Sequence, residues 1–242
     1  MGTDGNRACH DDPARTDRSV GCDWRADVGG DVEIVPEEDG RYEVRAKGPN
    51  IMPGYYNDPQ KTAEAFDGEG YFITGDAMVF VDPDNVNAGM RFDGRISEDF
   101  KLLTGTWVRA TALRMSLLSH FAPLGADLVM TGQDKSDIGV LIFPNKEAIE
   151  TAGHALDDVD GMLSDPSLLT ALRDRLAAWN EANASSSTRI ARAALFAEPA
   201  SLVDAEITAK GNLNFRKVLQ CRSAILDHLY NGSHDAVIVP KD

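Results

Sequence analysis

Tyr71-Phe-Ile-Thr-Gly-Asp76, followed shortly by Phe92-Asp-Gly-Arg-Ile-Ser-Glu-Asp-Phe-Lys101, marks where this chain changes from one sequence pattern to another. Upstream, apolar residues alternate with period two, as half-buried strands require. Asp31-Val-Glu-Ile-Val35 alternates and stops at Pro36, and Arg41-Tyr-Glu-Val-Arg-Ala46 places Tyr42, Val44 and Ala46 on one face. Glu38-Asp-Gly40 between them has hairpin-turn chemistry. Asn57-Asp58-Pro59 opens a short helix, with a capping side chain before a proline suited to the first turn, and Ala63, Ala65 and Phe66 carry it to Gly68. A further hairpin is expected from Ala77–Val81, a turn at Asp82–Asn85, and Met90–Phe92.

Downstream, strands alternate with helices. Apolar residues spaced three and four apart predict helices over Ala110–Phe121, Asp165–Ala182 and Phe215–Tyr230, each with one buried stripe. Ser164-Asp165-Pro166 is a strong start for the middle one. Strands are expected at Ala126–Thr131, Ile138–Phe143 and Arg189–Phe196, the first two joined by a hairpin at Gly132–Ser136. The fold class is therefore α+β, a small β-rich part over 28–93 followed by a mixed α/β part over 94–242. Residues 1–27 show neither period and are expected to be a disordered or unrelated tail.

Composition narrows the function. The 242 residues are 43% hydrophobic and 26% charged, with a formal net charge of −15. That balance argues against general binding to nucleic acid or to an anionic membrane surface, both of which need a cationic face. Cys9, Cys22 and Cys221 have neither metal-ligand nor disulfide-framework spacing, which suits a reducing cytoplasm. No apolar run lies near the start of the sequence, so no signal peptide is expected, and the longest apolar stretch, near Leu117–Met130, is broken by His120, Pro123 and Asp127. His10, His120, His154, His228 and His234 form no cluster in sequence, so no metal site is expected.

Four motifs in order resemble those of the adenylate-forming superfamily, the acyl- and aryl-CoA synthetases and their relatives. The first is Val44–Thr62, with Gly54-Tyr55, Asn57-Asp-Pro59 and Lys61-Thr62. The Thr74-Gly75-Asp76 segment follows, then Gly94-Arg95 leading to Phe100-Lys-Leu-Leu-Thr-Gly-Thr-Trp-Val108, and last Glu206-Ile-Thr-Ala-Lys-Gly-Asn-Leu-Asn214. The last two are most similar to feruloyl-CoA synthase-like enzymes. The resemblance runs from about Val28 to Leu219. It implies that 28–93 is the end of a large N-terminal domain and that 94–242 is a C-terminal cap that rotates between two half-reactions. The implied chemistry is activation of a carboxylic acid by ATP with Mg²⁺, then transfer of the acyl group to coenzyme A.

The resemblance also implies roles. Thr74 and Asp76 would bind nucleotide, the carboxylate accepting hydrogen bonds from ribose hydroxyls. Arg95 would offer its guanidinium fork to ribose or phosphate oxygens, although Asp93, Glu98 and Asp99 are alternative partners. Ser97 falls at the hinge, where many members carry Asp or Lys. Lys101 would serve thioester formation, with Gly105, Thr106 and Trp107 forming the CoA-side loop. Lys210 would bridge the acid carboxylate and the α-phosphate during adenylation. The common pattern Thr-x-x-Gly-Lys puts its lysine where this chain has Asn212, so positions 210 and 212 both stand as candidates. No Ser/Thr-Gly-rich-Lys phosphate loop occurs in the sequence. The expectation is the C-terminal portion of an acid–CoA ligase that needs its N-terminal portion to act. The alternative is a non-catalytic nucleotide- or CoA-binding remnant, or a cap working in trans.

Overall fold

A computed structural model describes residues 30–37, 39–208, 210–231 and 234–240. The expected tail over 1–27, with Cys9, Cys22 and His10, lies outside them, as do Glu38 of the first turn and Ala209 of the last motif. The described chain divides into two compact units, the first ending at Phe92 and the second starting at Asp93.

The first unit is built on a sheet of β1 (Asp31–Pro36), β2 (Tyr42–Lys47), β3 (Phe72–Phe80) and β4 (Met90–Arg95), in that order. β1 and β2 form the expected antiparallel hairpin, with Pro36 opposite Tyr42, and the alternation in β2 buries Val44 and Ala46. Helix α1 (Pro59–Ala65) begins as its sequence requires: the Asp58 carboxylate accepts the Lys61 N–H at 2.9 Å. It stops at Ala65 rather than near Gly68. Phe66 is extended and bridges to Phe72, their rings edge to face at 5.6 Å, so packing on the sheet wins over one more turn. β4 carries the chain from the first unit into the second.

The second unit opens with a small hairpin, β5 (Phe100–Lys101) and β6 (Trp107–Val108), followed by α2 (Ala110–Phe121). Next come β7 (Gly125–Thr131), β8 (Ile138–Pro144), α3 (Lys146–Thr151), and the short pair β9 (Asp158–Val159) and β10 (Met162–Leu163). The last elements are α4 (Pro166–Ala182), β11 (Ile190–Leu195), α5 (Phe215–Cys221) and α6 (Ser223–Asn231). The main sheet has the order β11-β8-β7, with β7 antiparallel and β11 parallel to the central β8.

That sheet is covered on both faces. Ile138, Val140 and Ile142 pack with Leu113, Leu117 and Phe121 of α2 and with Leu168, Leu172 and Leu176 of α4. Leu141 and Phe143 point the other way, into a core with Val218, Ile225 and Leu229. A strand buried on both sides reads as an unbroken apolar run, which explains Ile138–Phe143. Asp165 caps α4 by accepting the Leu168 N–H at 2.8 Å. The helix expected over Phe215–Tyr230 is two helices, broken at Arg222. Among the described residues no helix is long and apolar enough to cross a membrane.

Candidate functional site

In the first unit, Thr74, Gly75 and Asp76 form a bulge inside β3. Glu43 pairs with Ala77 and Arg45 with Ile73, which leaves Val44 alone opposite all three residues. The Thr74 hydroxyl donates to the Val44 carbonyl and accepts the Asp76 N–H at 3.1 Å. Gly75 sits at φ +69°, a conformation that side-chain-bearing residues adopt at a cost. The bulge therefore re-aims Asp76, which is half-buried. The turn before β3 is held by Asp67, which accepts from Glu69 N at 3.0 Å and Tyr71 N at 2.9 Å and meets Arg45 at 3.2 Å. These hydrogen bonds, that from Tyr71 foremost, hold the Asp67 carboxyl below the usual carboxylate range.

At the start of the second unit, Arg95 is exposed and its backbone N–H meets the Thr111 hydroxyl at 3.3 Å. Nearby acids organise the entry to α2. Asp99 accepts the Ala110 N–H at 2.8 Å, Glu98 accepts the Thr111 hydroxyl at 2.7 Å, and Asp93 meets Arg109 at 3.3 Å. Ser97 is exposed in a 3-10 turn over Ile96–Glu98. Lys101 follows on β5, its ammonium 5.5 Å from the centre of the Trp107 ring on β6. The loop between is tight: Leu102 N donates to Thr106 O and Gly105 N to Leu102 O, both at 2.9 Å. Gly105 takes φ +86° there. Lys101 and Trp107 thus share one small hairpin.

Lys210 stands on a second hairpin. Thr208 N donates to Asn212 O at 2.8 Å, Gly211 N to Thr208 O at 2.9 Å, and Asn212 N to the Thr208 hydroxyl at 3.2 Å. Ile207 bridges Leu213 below, and Asn214 N donates to Glu206 O at 2.8 Å to close the base. Lys210 and Asn212 are both exposed at this tip, but the backbone of Asn212 is held at both its N–H and its carbonyl. At the base, Glu206 is buried, 2% exposed, against Arg222. Sequence reading missed this pair.

A cleft of about 630 Å³ runs between the Ser97 turn, the end of β7 with the turn that follows it, and the hairpin that carries Lys210. Ser97, Thr208 and Asn214 line it, together with Arg114, Lys135 and Tyr230, which sequence reading did not single out. The Tyr230 ring lies 5.0 Å from both Lys135 Nζ and Arg192 Cζ, and its hydroxyl meets the Thr131 hydroxyl at 2.7 Å. Burial raises its pKa above the ordinary tyrosine value. The hairpin that carries Lys101 lends Phe100 to this cleft, and its Trp107 lines a separate groove of about 300 Å³ with Arg109, Trp179 and Ser187. The two candidate lysines thus belong to separate hairpins, both of which contribute residues to the larger cleft.

His228 and His234, unconnected in sequence, bring their rings within 4.8 Å, and His234 reaches Asp160 at 3.2 Å. Among the described residues no group of three or more His, Cys, Asp or Glu side chains could hold a metal ion. No residue is therefore assigned to Mg²⁺.

The chain has relatives among known proteins. It is 29% identical over 152 residues to the probable acyl-activating enzyme 16, chloroplastic, of Arabidopsis thaliana, covering 56% of this chain and 20% of that protein. It is 36% identical over 115 residues to the probable 4-coumarate–CoA ligase 2 of Dictyostelium discoideum, covering 45% of this chain and 20% of that one. Its fold aligns with the A domain of the carboxylic acid reductase of Segniliparus rugosus, solved with AMP and a co-purified carboxylic acid. That match has a TM-score of 0.64 at 22% identity, over 83% of this chain and 31% of that structure. The chain is similar to the adenylate-forming superfamily. Its α+β architecture matches the C-terminal region of those enzymes. The matched segments span about a fifth of these curated relatives' length. No family model matches the chain.

Proposed function

We propose that this chain is the C-terminal portion of an ATP-dependent, AMP-forming acid–CoA ligase, acting through an acyl-adenylate. The observation that carries the reading is the mounting of the two candidate lysines on separate hairpins of one compact unit. A cap that presents different loops in two half-reactions needs such an arrangement. Lys210, at the tip of the Glu206–Asn214 hairpin, would stabilise charge spreading between the acid carboxylate and the α-phosphate. Lys101, with Gly105, Thr106 and Trp107, would serve the thioester step, and the groove beside Trp107 offers an aromatic wall and the Arg109 guanidinium to coenzyme A. Ser97, in the 3-10 turn just inside the second unit, would be the pivot. Thr74 and Asp76, on the β3 bulge, would hold the ribose, with Arg95 on nucleotide oxygens.

On this reading, residues 28–93 end the large domain and 94–242 form the cap. The large domain would supply the phosphate loop and the acid pocket, so it is the principal partner. An aryl acid such as ferulate is the favoured substrate. The Lys101 and Lys210 motifs support it through their resemblance to feruloyl-CoA synthase, as does similarity to 4-coumarate–CoA ligases. The test is pyrophosphate exchange with ATP, Mg²⁺ and ferulate-like acids, by the 242-residue chain alone and by a fusion that adds the large domain of a 4-coumarate–CoA ligase. Exchange by the fusion only is expected. Robust exchange by the chain alone, or none by a folded fusion, would overturn the reading.

A further inference from the structure

We infer that Arg222 and Glu206 are a positioning pair, which holds the Glu206–Asn214 hairpin and therefore Lys210 in a fixed place on the second unit. The inference rests on the reading of Lys210 above. Glu206 begins the hairpin and closes its base. Its N–H donates to Ser201 O at 2.9 Å, its carbonyl accepts from Asn214 N at 2.8 Å, and its carboxylate accepts the Ser201 N–H at 2.7 Å. The same carboxylate receives Arg222 Nε at 2.8 Å and Nη2 at 2.7 Å, a two-pronged grip that a lysine cannot reproduce.

Arg222 is placed to act as a clamp. It sits where α5 gives way to α6, and its remaining N–H groups donate to Glu198 O at 2.9 Å and Pro199 O at 2.7 Å. Its guanidinium carbon lies 4.3 Å from the centre of the Phe196 ring and 5.1 Å from that of Phe143, both part of the sheet's second core. One side chain thus ties the base of the hairpin, the segment leaving β11 and the helix break to the buried aromatic layer of the sheet's second core. Among the described residues, the turn above this base is closed by the bonds of Thr208, Gly211 and Asn212 described above. A lysine at such a tip has a defined position only when the base has one.

Amide hydrogen exchange, followed by NMR on the full chain, tests this in the native protein and in Arg222→Gln, Glu206→Gln and Arg222→Lys. The reporters are the amides of Thr208 and Asn214, and the controls are those of Val140 and Ile142 in β8. Exchange at Thr208 and Asn214 is expected to rise about tenfold or more in both glutamine variants, with the β8 amides close to native. Arg222→Lys should keep most of that loosening, because charge without the fork does not restore the grip. An unchanged hairpin, equal acceleration in β8, or full restoration by lysine would overturn the inference. Should Arg222→Gln fail to fold, Glu206→Gln preserves shape and carries the same comparison. If the hairpin loosens while Lys210→Ala leaves adenylation by the fused enzyme intact, the pair stands and the reading of Lys210 falls.

Discussion

The two units use the same local devices on different foundations. Each has an Asp-Pro helix start: Asp58-Pro59 opens α1 and Asp165-Pro166 opens α4, both with the carboxylate accepting a backbone N–H. α4 then runs 17 residues and buries Leu168, Leu169, Leu172, Leu176 and Trp179, whereas α1 runs 7 residues and buries none. The central strand β8 is closed on both faces, while on β1 of the first unit Val32 and Ile34 remain 40% exposed. A cap sets the place where a helix begins; apolar area removed from water decides whether the helix bears load. The loops assigned to chemistry in the second unit are therefore mounted on a two-faced core, and the Thr74–Asp76 bulge on a thinner sheet.

The largest effect expected from this contrast is in the core of the second unit. Leu141→Ala, at a fully buried position in β8, should destabilise the second unit by about 2–5 kcal/mol in denaturant unfolding. Next come the caps. Asp165→Ala should cost about 1 kcal/mol, and the same change at Asp58 should leave the unfolding midpoint of the second unit where it was. Limited proteolysis should agree, leaving a resistant fragment that begins near Gly94; uniform resistance from Val28 onward would blur the contrast.

Acid should act on both units with the same sign. Glu206 is held below the usual glutamate range by its hydrogen bonds from Arg222, and Asp67 below the usual aspartate range by those from Tyr71 and Glu69. Each folded-state pKa is depressed, so the stabilisation is complete above the unfolded value of about 4 and is lost as pH falls through the folded value. Thermal unfolding between pH 7 and pH 3 should show this decline, and Glu206→Gln should flatten it. The smallest effect is expected on β1, where Ile34→Ala should shift stability by no more than about 0.5 kcal/mol.

Features written in local spacing were legible in the sequence. α2 and α4 follow from leucines three and four apart, and the β1–β2 and β7–β8 hairpins from alternation and turn residues. What distant partners decide was not. The apolar stripe of α5 and α6 continues through Arg222, and the break there accompanies the pairing of Arg222 with Glu206, sixteen residues earlier. Thr-Gly-Asp has turn chemistry, yet its register against Val44 makes it a bulge. α3 buries Ile149 alone and carries no stripe to read. Within the candidate site, the loops bearing Lys101 and Lys210 were nameable from their motifs. The cleft lined by Arg114, Lys135 and Tyr230 was not, since it joins residues from four separate stretches of chain.

The central claim is that Lys210, on its clamped hairpin, serves adenylation while Lys101 serves thioester formation. It is tested most directly in the fused enzyme by measuring both half-reactions for Lys210→Ala and Asn212→Ala. Acid plus ATP reports the first step, and preformed acyl-adenylate plus coenzyme A the second. The account predicts that Lys210→Ala slows the first step by about 10²–10³ and leaves the second near native, with Asn212→Ala close to native in both. Equal slowing of both steps by Lys210→Ala, or the full loss from Asn212→Ala alone, would contradict it.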